Sequence, residues 1–180
     1  MDNKTYKITI EGNTRELPIC EVNEHLDIAG FVIFGDVKMT MDCAKALLEK
    51  SPEFDYIITA EAKGIPLGYE MARQSGKPYF VARKGTKLSM REVFGVDVRS
   101  ITTDRDQHLY LDKAEADQMK GKRVLIVDDV ISTGESLKAL EYLCEKAEAN
   151  VVGKCAILAE GDAKDRDDLI YLEPLPLFFK

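Results

Sequence analysis

Hydrophobic and polar positions along this chain switch repeatedly between two periods. Tyr6–Ile10 alternates at every residue, as an edge strand or hairpin arm does. Met41–Lys50 changes to helical spacing, with Ala44, Leu47 and Leu48 on one face. Tyr56–Ala60 reads as a short apolar strand and Tyr79–Ala82 as another. Between them Gly64–Ser75 is helical, with Leu67, Met71 and Ala72 on one stripe and Gly76 as its stop. Val124–Val127 is the clearest buried strand, a continuous apolar run rich in β-branched residues. Glu135–Ala149 is the clearest helix, with Leu137, Leu140, Cys144 and Ala147 at spacings that keep them on one face. Val151–Leu158 and Leu169–Leu172 supply later strands. From Leu88 to Gln107 the pattern is weak and polar, which predicts a functional loop or a mobile hairpin. Alternation of strands and helices predicts a single α/β domain over residues 1–180, a mainly parallel sheet with helices on both faces.

Composition narrows the picture. Apolar residues make up 45% of the 180 and charged residues 32%, which suits a packed, soluble chain. No apolar run approaches the roughly 18 residues that span a bilayer, and Met1–Glu11 lacks the apolar core of a signal peptide. The expectation is a cytoplasmic protein with no membrane partner. A net charge of −7 argues against a nucleic-acid partner, though a local cluster of cations or backbone N–H groups can still hold a small anion. Cys20, Cys43, Cys144 and Cys155 form no C-x-x-C pair and read as reduced thiols. His25 and His108 have no partner at metal-ligand spacing, so no direct protein-held metal is expected.

Chemistry concentrates where the clearest strand meets the clearest helix. Val124–Val127 runs into Asp128 and Asp129, then Val130, Ile131, Ser132, Thr133, Gly134, Glu135 and Ser136. In an open parallel sheet, ligands bind beyond the carboxyl ends of the strands. A helix N-terminus offers N–H groups and a positive dipole end to a phosphate. Gly134 lets the backbone approach closely, and Ser132, Thr133 and Ser136 can add hydroxyl donors. Carboxylates beside a phosphate site need a reason, because like charges repel. Ribose hydroxyls supply one, since Asp128 and Asp129 can accept hydrogen bonds from a diol. The bland alternative is that Ser132 or Thr133 merely caps the helix. Neither G-x-x-x-x-G-K-[ST] nor G-x-G-x-x-G is present. A receiver domain, which can also begin with an apolar strand and an acid pair, does not fit either: only 51 residues follow Asp129.

This segment resembles the motif with which type I phosphoribosyltransferases bind 5-phosphoribosyl-1-pyrophosphate (PRPP). The resemblance extends over about Ile28 to Phe179 and is closest to the adenine branch. Phe31–Val37 looks like that branch's base-binding hood, with Ile33 and Phe34 meeting the base and Phe34 stacking on it. Glu61, Ala62, Lys63 and Gly64 look like its pyrophosphate loop, which implies a cis bond at Glu61–Ala62. Arg83, Lys84 and Lys87 look like its basic strand end leading into a closing loop, and Leu172–Phe178 like its last strand. Gly35 and Glu135 depart from the pattern, and the closing loop lacks a clear Glu-Tyr pair. The resemblance implies a hood from about 1–40 and 160–180, a homodimer, Mg²⁺ carried on PRPP, and purine salvage. Asp128 and Asp129 would be its catalytic acids. Lys63, Arg83, Lys84 and Lys87 would steady the pyrophosphate leaving group, as positioned cations can. Adenine is the expected base: Lys154 lies within a strand rather than at its end, and that strand ends in Ala159–Glu160. Alternatives are xanthine, hypoxanthine or guanine, or a regulator that senses PRPP without turning it over.

Overall fold

In the computed structural model, which describes residues 4–99 and 106–180, the first alternating stretch forms β1 (Thr5–Ile10). It pairs antiparallel with β2 (Asn13–Asn23), which returns against β3 (Leu26–Ala29). Ile8, Ile10 and Leu17 point into the core from this small sheet, while their neighbours face outward. Helix α1 (Val37–Lys50) starts earlier than its apolar stripe suggests, because Asp36 caps it by accepting the Met39 N–H at 3.2 Å. Arg15 grips the same carboxylate at 2.6 and 3.0 Å, which holds Asp36 below the usual carboxylate range.

Next come β4 (Tyr56–Ala60), α2 (Ile65–Ser75) and β5 (Tyr79–Ala82). The hairpin β6 (Val93–Arg99) and β7 (Asp106–Asp112) leads into a short α3 (Lys113–Met119). The chain then lays down β8 (Arg123–Ile131), α4 (Glu135–Lys146), β9 (Asn150–Glu160), a 3-10 turn (Gly161–Asp165), β10 (Ile170–Leu175) and β11 (Leu177–Phe179). Five parallel strands stand in the order β10-β9-β8-β4-β5, with β8 at the centre. The last strand, β11, crosses to β3, so both ends of the chain build one four-stranded antiparallel sheet.

Alternation along the central strands fills two cores. Ile57, Leu125, Val127 and Ile157 meet α1 and α2 through Met39, Leu47, Leu67 and Met71. Ile58, Val124, Ile126 and Ala156 meet α3 and α4 through Met119, Leu140 and Leu143. A strand covered on both faces has to be apolar at every position, which is why Val124–Val127 reads as an unbroken run.

One expectation needs correction. The strand at Val124 does not stop at Val127. It continues through Asp128 and Asp129 to Ile131, because β9 goes on pairing with it as far as Ala159. Of the two readings of Leu88–Gln107, the hairpin is the one seen: Val93–Arg99 pairs residue for residue with Asp106–Asp112, and Val96 is buried beside Leu109 and Leu111. Phe94 and Val96 alternate with Gly95 and Asp97 as a half-buried strand does, but the run is too short to stand out from its polar flanks. The closing movement expected of Leu88–Gln107 takes in residues 100–105, which lie outside the described ones. Among the described residues, no helix is long and apolar enough to cross a membrane.

Candidate active site

The parallel sheet brings the carboxyl ends of β4, β5, β8 and β9 to one edge, and the sequence-derived candidates gather there. Past Ile131 the chain turns at Gly134, whose φ of +79° suits glycine, and α4 begins. No side chain caps this helix, so the bland reading of Ser132 or Thr133 as a cap does not hold; both residues are exposed. The helix start is therefore open to a ligand. A cavity of about 250 Å³ lies against it, lined by Asp128 and residues 130–137. The whole expected phosphate segment, Val130 to Ser136, thus borders a single cup with one of the acids at its side.

The acids differ in setting. Asp129 is 4% exposed, and its buried Oδ2 has no hydrogen-bond partner among the described residues. Asp128 is half-buried, and its Oδ1 accepts the Asp129 N–H at 2.9 Å. Burial, then the neighbouring Asp129 charge, push the Asp128 carboxyl up to about 7. Burial likewise raises Asp129, against the pull of Asp128's hydrogen bond and the Lys63 charge. An acid pair kept this dry, with an orphaned oxygen, is what a site awaiting hydroxyl donors or a hydrated cation would contain.

The loop after β4 packs directly on this pair. A Cβ on Gly64 would lie 2.3 Å from Thr59 Oγ1 and 2.9 Å from Asp128 Oδ1, so only glycine fits. The Glu61–Ala62 peptide is cis, as the sequence resemblance implies. The Glu61 carboxylate accepts the Lys84 N–H at 3.0 Å and ties the loop to the end of β5. Lys63 and Lys84 are exposed, and their charges reach Asp129 and Asp128 respectively. Arg83 is anchored by its backbone, which exchanges hydrogen bonds with Tyr110 of β7 at 2.8 and 2.9 Å. Lys87 stands farther along in an exposed turn, where its carbonyl accepts the Met90 N–H.

In the hood segment Phe34 is 53% exposed, whereas the Ile33 side chain is buried in the core. Ile33 can offer only its backbone to a flat ligand. Lys154 is committed elsewhere: it pairs with Glu141 of α4 and, at 2.8 Å, with Asp168. Sequence reasoning missed Arg166, which packs against Gly134, and Thr59 beneath Gly64. Arg166 lies far from the motif in sequence and has no periodic signal. Thr59 reads simply as a strand residue.

An open parallel sheet with an acid pair and a cup at its carboxyl edge places this chain among the α/β proteins whose ligand sites lie beyond the strand ends. The chain belongs to the phosphoribosyl transferase domain family, whose model matches residues 37–173. It is similar to the hypoxanthine/guanine phosphoribosyltransferase of Methanococcus voltae, with 39% identity over 62% of this chain and 56% of that one. It is also similar to the adenine phosphoribosyltransferase of Thermotoga petrophila, with 38% identity over 68% of this chain and 64% of that one. The matched part thus spans less than two thirds of either relative. Among solved structures, the adenine phosphoribosyltransferase of Thermoanaerobacter pseudethanolicus superposes with a TM-score of 0.67 at 22% identity, covering 94% of this chain and 95% of that one. The Saccharomyces cerevisiae enzyme, solved with adenine and an imino-altritol bisphosphate, gives 0.62 at 24% identity, covering 94% of this chain and 92% of that one. At these identities the likeness shows the fold.

Proposed function

We propose that this protein is a phosphoribosyltransferase that joins a purine base, adenine, to the ribose 5-phosphate of PRPP and releases pyrophosphate. The observation that carries the reading is the cup between the raised acid pair and the uncapped start of α4. In this reading the loop from Val130 to Ser136 binds the 5-phosphate through backbone N–H groups and hydroxyls. Asp128 and Asp129 accept hydrogen bonds from the ribose hydroxyls. As pyrophosphate leaves, C1′ becomes oxocarbenium-like, and Lys63, Arg83, Lys84 and Lys87 offset the charge that builds on the departing oxygens. Asp129, through its buried Oδ2, would accept from the water shell of a Mg²⁺ carried on PRPP, and that ion would offset phosphate charge. Phe34 stacks on the base, and the Ile33 backbone reads its edge.

Adenine is favoured over a 6-oxo purine because Lys154, the cation nearest in sequence to meet an oxo group, is held by Glu141 and Asp168. The relative from Methanococcus voltae favours hypoxanthine or guanine as the second reading. The reading also includes purine salvage in the cytoplasm and a homodimer, which exposed Val37, Met41 and Tyr69 on α1 and α2 support as an apolar contact surface. A panel of adenine, hypoxanthine, guanine and xanthine with Mg-PRPP, read by pyrophosphate release, tests it. Adenine is expected to react at least about tenfold faster than the others, since a mismatched hydrogen-bond pattern at the base edge leaves polar groups unpaired. Turnover of a 6-oxo purine but not adenine overturns the choice of base. No turnover with any base, together with intact PRPP binding, leaves a PRPP-sensing regulator.

A further inference from the structure

The segment after β9 reaches the same edge as the phosphate cup, because β9 lies parallel beside β8 and both carboxyl ends point one way. It delivers Arg166 just past the 3-10 turn. The guanidinium is held in two places: Nε donates to Asp168 Oδ1 at 2.9 Å and Nη2 to Asp168 Oδ2 at 2.8 Å. Its remaining nitrogen, Nη1, faces Gly134, and a Cβ there would lie only 2.9 Å from it. Gly134 lines the cup. The absent side chain is what allows the guanidinium to rest on the turn.

Asp168 is fixed in its turn. Arg166 and then Lys154 hold its carboxyl far below the usual carboxylate range, so it stays ionised. Lys154 joins it at 2.8 Å and also pairs with Glu141. Glu141 lies about two turns along α4 from Gly134, on the same face. The chain of ions Glu141–Lys154–Asp168–Arg166 therefore runs along α4 towards its N-terminus and ends in a donor at the phosphate turn. A guanidinium with two nitrogens pinned by a carboxylate loses little further freedom when the third engages an anion.

We propose that Arg166 is a further binding residue for the ribose 5-phosphate, donating from Nη1 to the phosphate across Gly134, with Asp168 and Lys154 as its positioning residues. This rests on the reading of the cup as a 5-phosphate site. It gives an acidic chain a side-chain cation at a phosphate cup that, among the described residues, is lined by backbone, hydroxyls and carboxylates. It also explains why Lys154 and Asp168 are spent on each other rather than on a base.

The test is calorimetric titration of ribose 5-phosphate and, separately, inorganic pyrophosphate into the wild-type chain, Arg166→Gln and Arg166→Lys, with thermal melting of each. Arg166→Gln is expected to weaken ribose 5-phosphate at least about tenfold, the scale of one charge-assisted hydrogen bond. Pyrophosphate binding should stay within about twofold, because a lost local donor acts on the 5-phosphate alone. Arg166→Lys should fall between, keeping the charge but losing the fork, and serves if the glutamine variant does not fold. Unchanged ribose 5-phosphate binding in Arg166→Gln overturns the proposal. So does equal weakening of both ligands, which would mark a general structural role. Failure of the wild-type chain itself to bind ribose 5-phosphate overturns the underlying site reading and this assignment with it.

Discussion

Replacing Asp128 by asparagine is expected to weaken PRPP binding while making the folded protein more stable at neutral and alkaline pH. Burial and the adjacent Asp129 hold the Asp128 carboxyl at about 7 in the folded chain, above its ordinary value of 3.8. Between those two values the folded state keeps a proton that the unfolded state has released. Stability of the wild-type chain therefore falls as pH rises through this window, and stays low above it. Asparagine does not titrate. Its advantage over aspartate should be small near pH 4 and should grow to on the order of 4 kcal/mol by pH 8, a rise of roughly 8–16 °C in melting temperature for a domain this size. Binding moves the other way. Losing a charge-assisted hydrogen bond to the ribose should cost about 1.5–3 kcal/mol, or roughly 10–100-fold in affinity. Asp129→Asn should show a similar loss of affinity, since its Oδ2 has no partner among the described residues to compensate. Melting curves at both pH values, with PRPP calorimetry, decide the matter. Near-normal PRPP binding by both variants would sink the ribose assignment, and a Tm difference that does not change with pH would contradict the burial argument.

Gly64→Ala should have the other large effect, for a steric reason. Its Cβ would stand 2.3 Å from Thr59 Oγ1, 2.9 Å from Asp128 Oδ1 and 3.3 Å from Asp128 Cα. Thr59 is fully buried in β4 and Asp128 is held in β8, so neither side can yield without shifting a central strand. The loop carrying Lys63 has to move instead, and with it the link from Glu61 to Lys84. Overpacking of this kind costs about 1–3 kcal/mol of stability. Displacing the loop by about 1 Å should cut pyrophosphate-releasing turnover on the order of 10²-fold, because positioned groups lose their alignment. Gly85→Ala is the control: nothing lies within 4 Å of its added Cβ, and its stability should match the wild type. Melting curves and turnover that are normal for Gly64→Ala would show that the loop does not need this close approach.

Much of the molecule is legible in the chain. Tyr56–Ala60 and Tyr79–Ala82 are strands over the very residues that the apolar runs mark, and Gly76 stops α2. The parallel sheet follows from strands separated by amphipathic helices. The cup follows from a hydroxyl-rich turn between a buried strand and a helix, and residues 130–136 line it together. Other elements hide because their pattern is weak. Strand β2 is mostly exposed, with only Asn13 and Leu17 buried, so little alternation survives. Helix α3 is too short for a stripe, although Asp112 and Glu115 form a capping box that marks its start.

The sequence by itself determined the elements that bury apolar faces and the local motif at Asp128–Ser136, because both depend on residues near one another along the chain. The tertiary structure alone decided what meets that motif from afar. Pairing of β8 with β9 carried the acids inside a strand and set Arg166 on Gly134. Packing of the β4–α2 loop against β8 put Gly64 on Asp128 and left Asp129 Oδ2 dry and unpaired. The raised pKa of each acid follows from that burial. Such properties arise from desolvation and contact between segments distant in sequence, and no local pattern of residues encodes them.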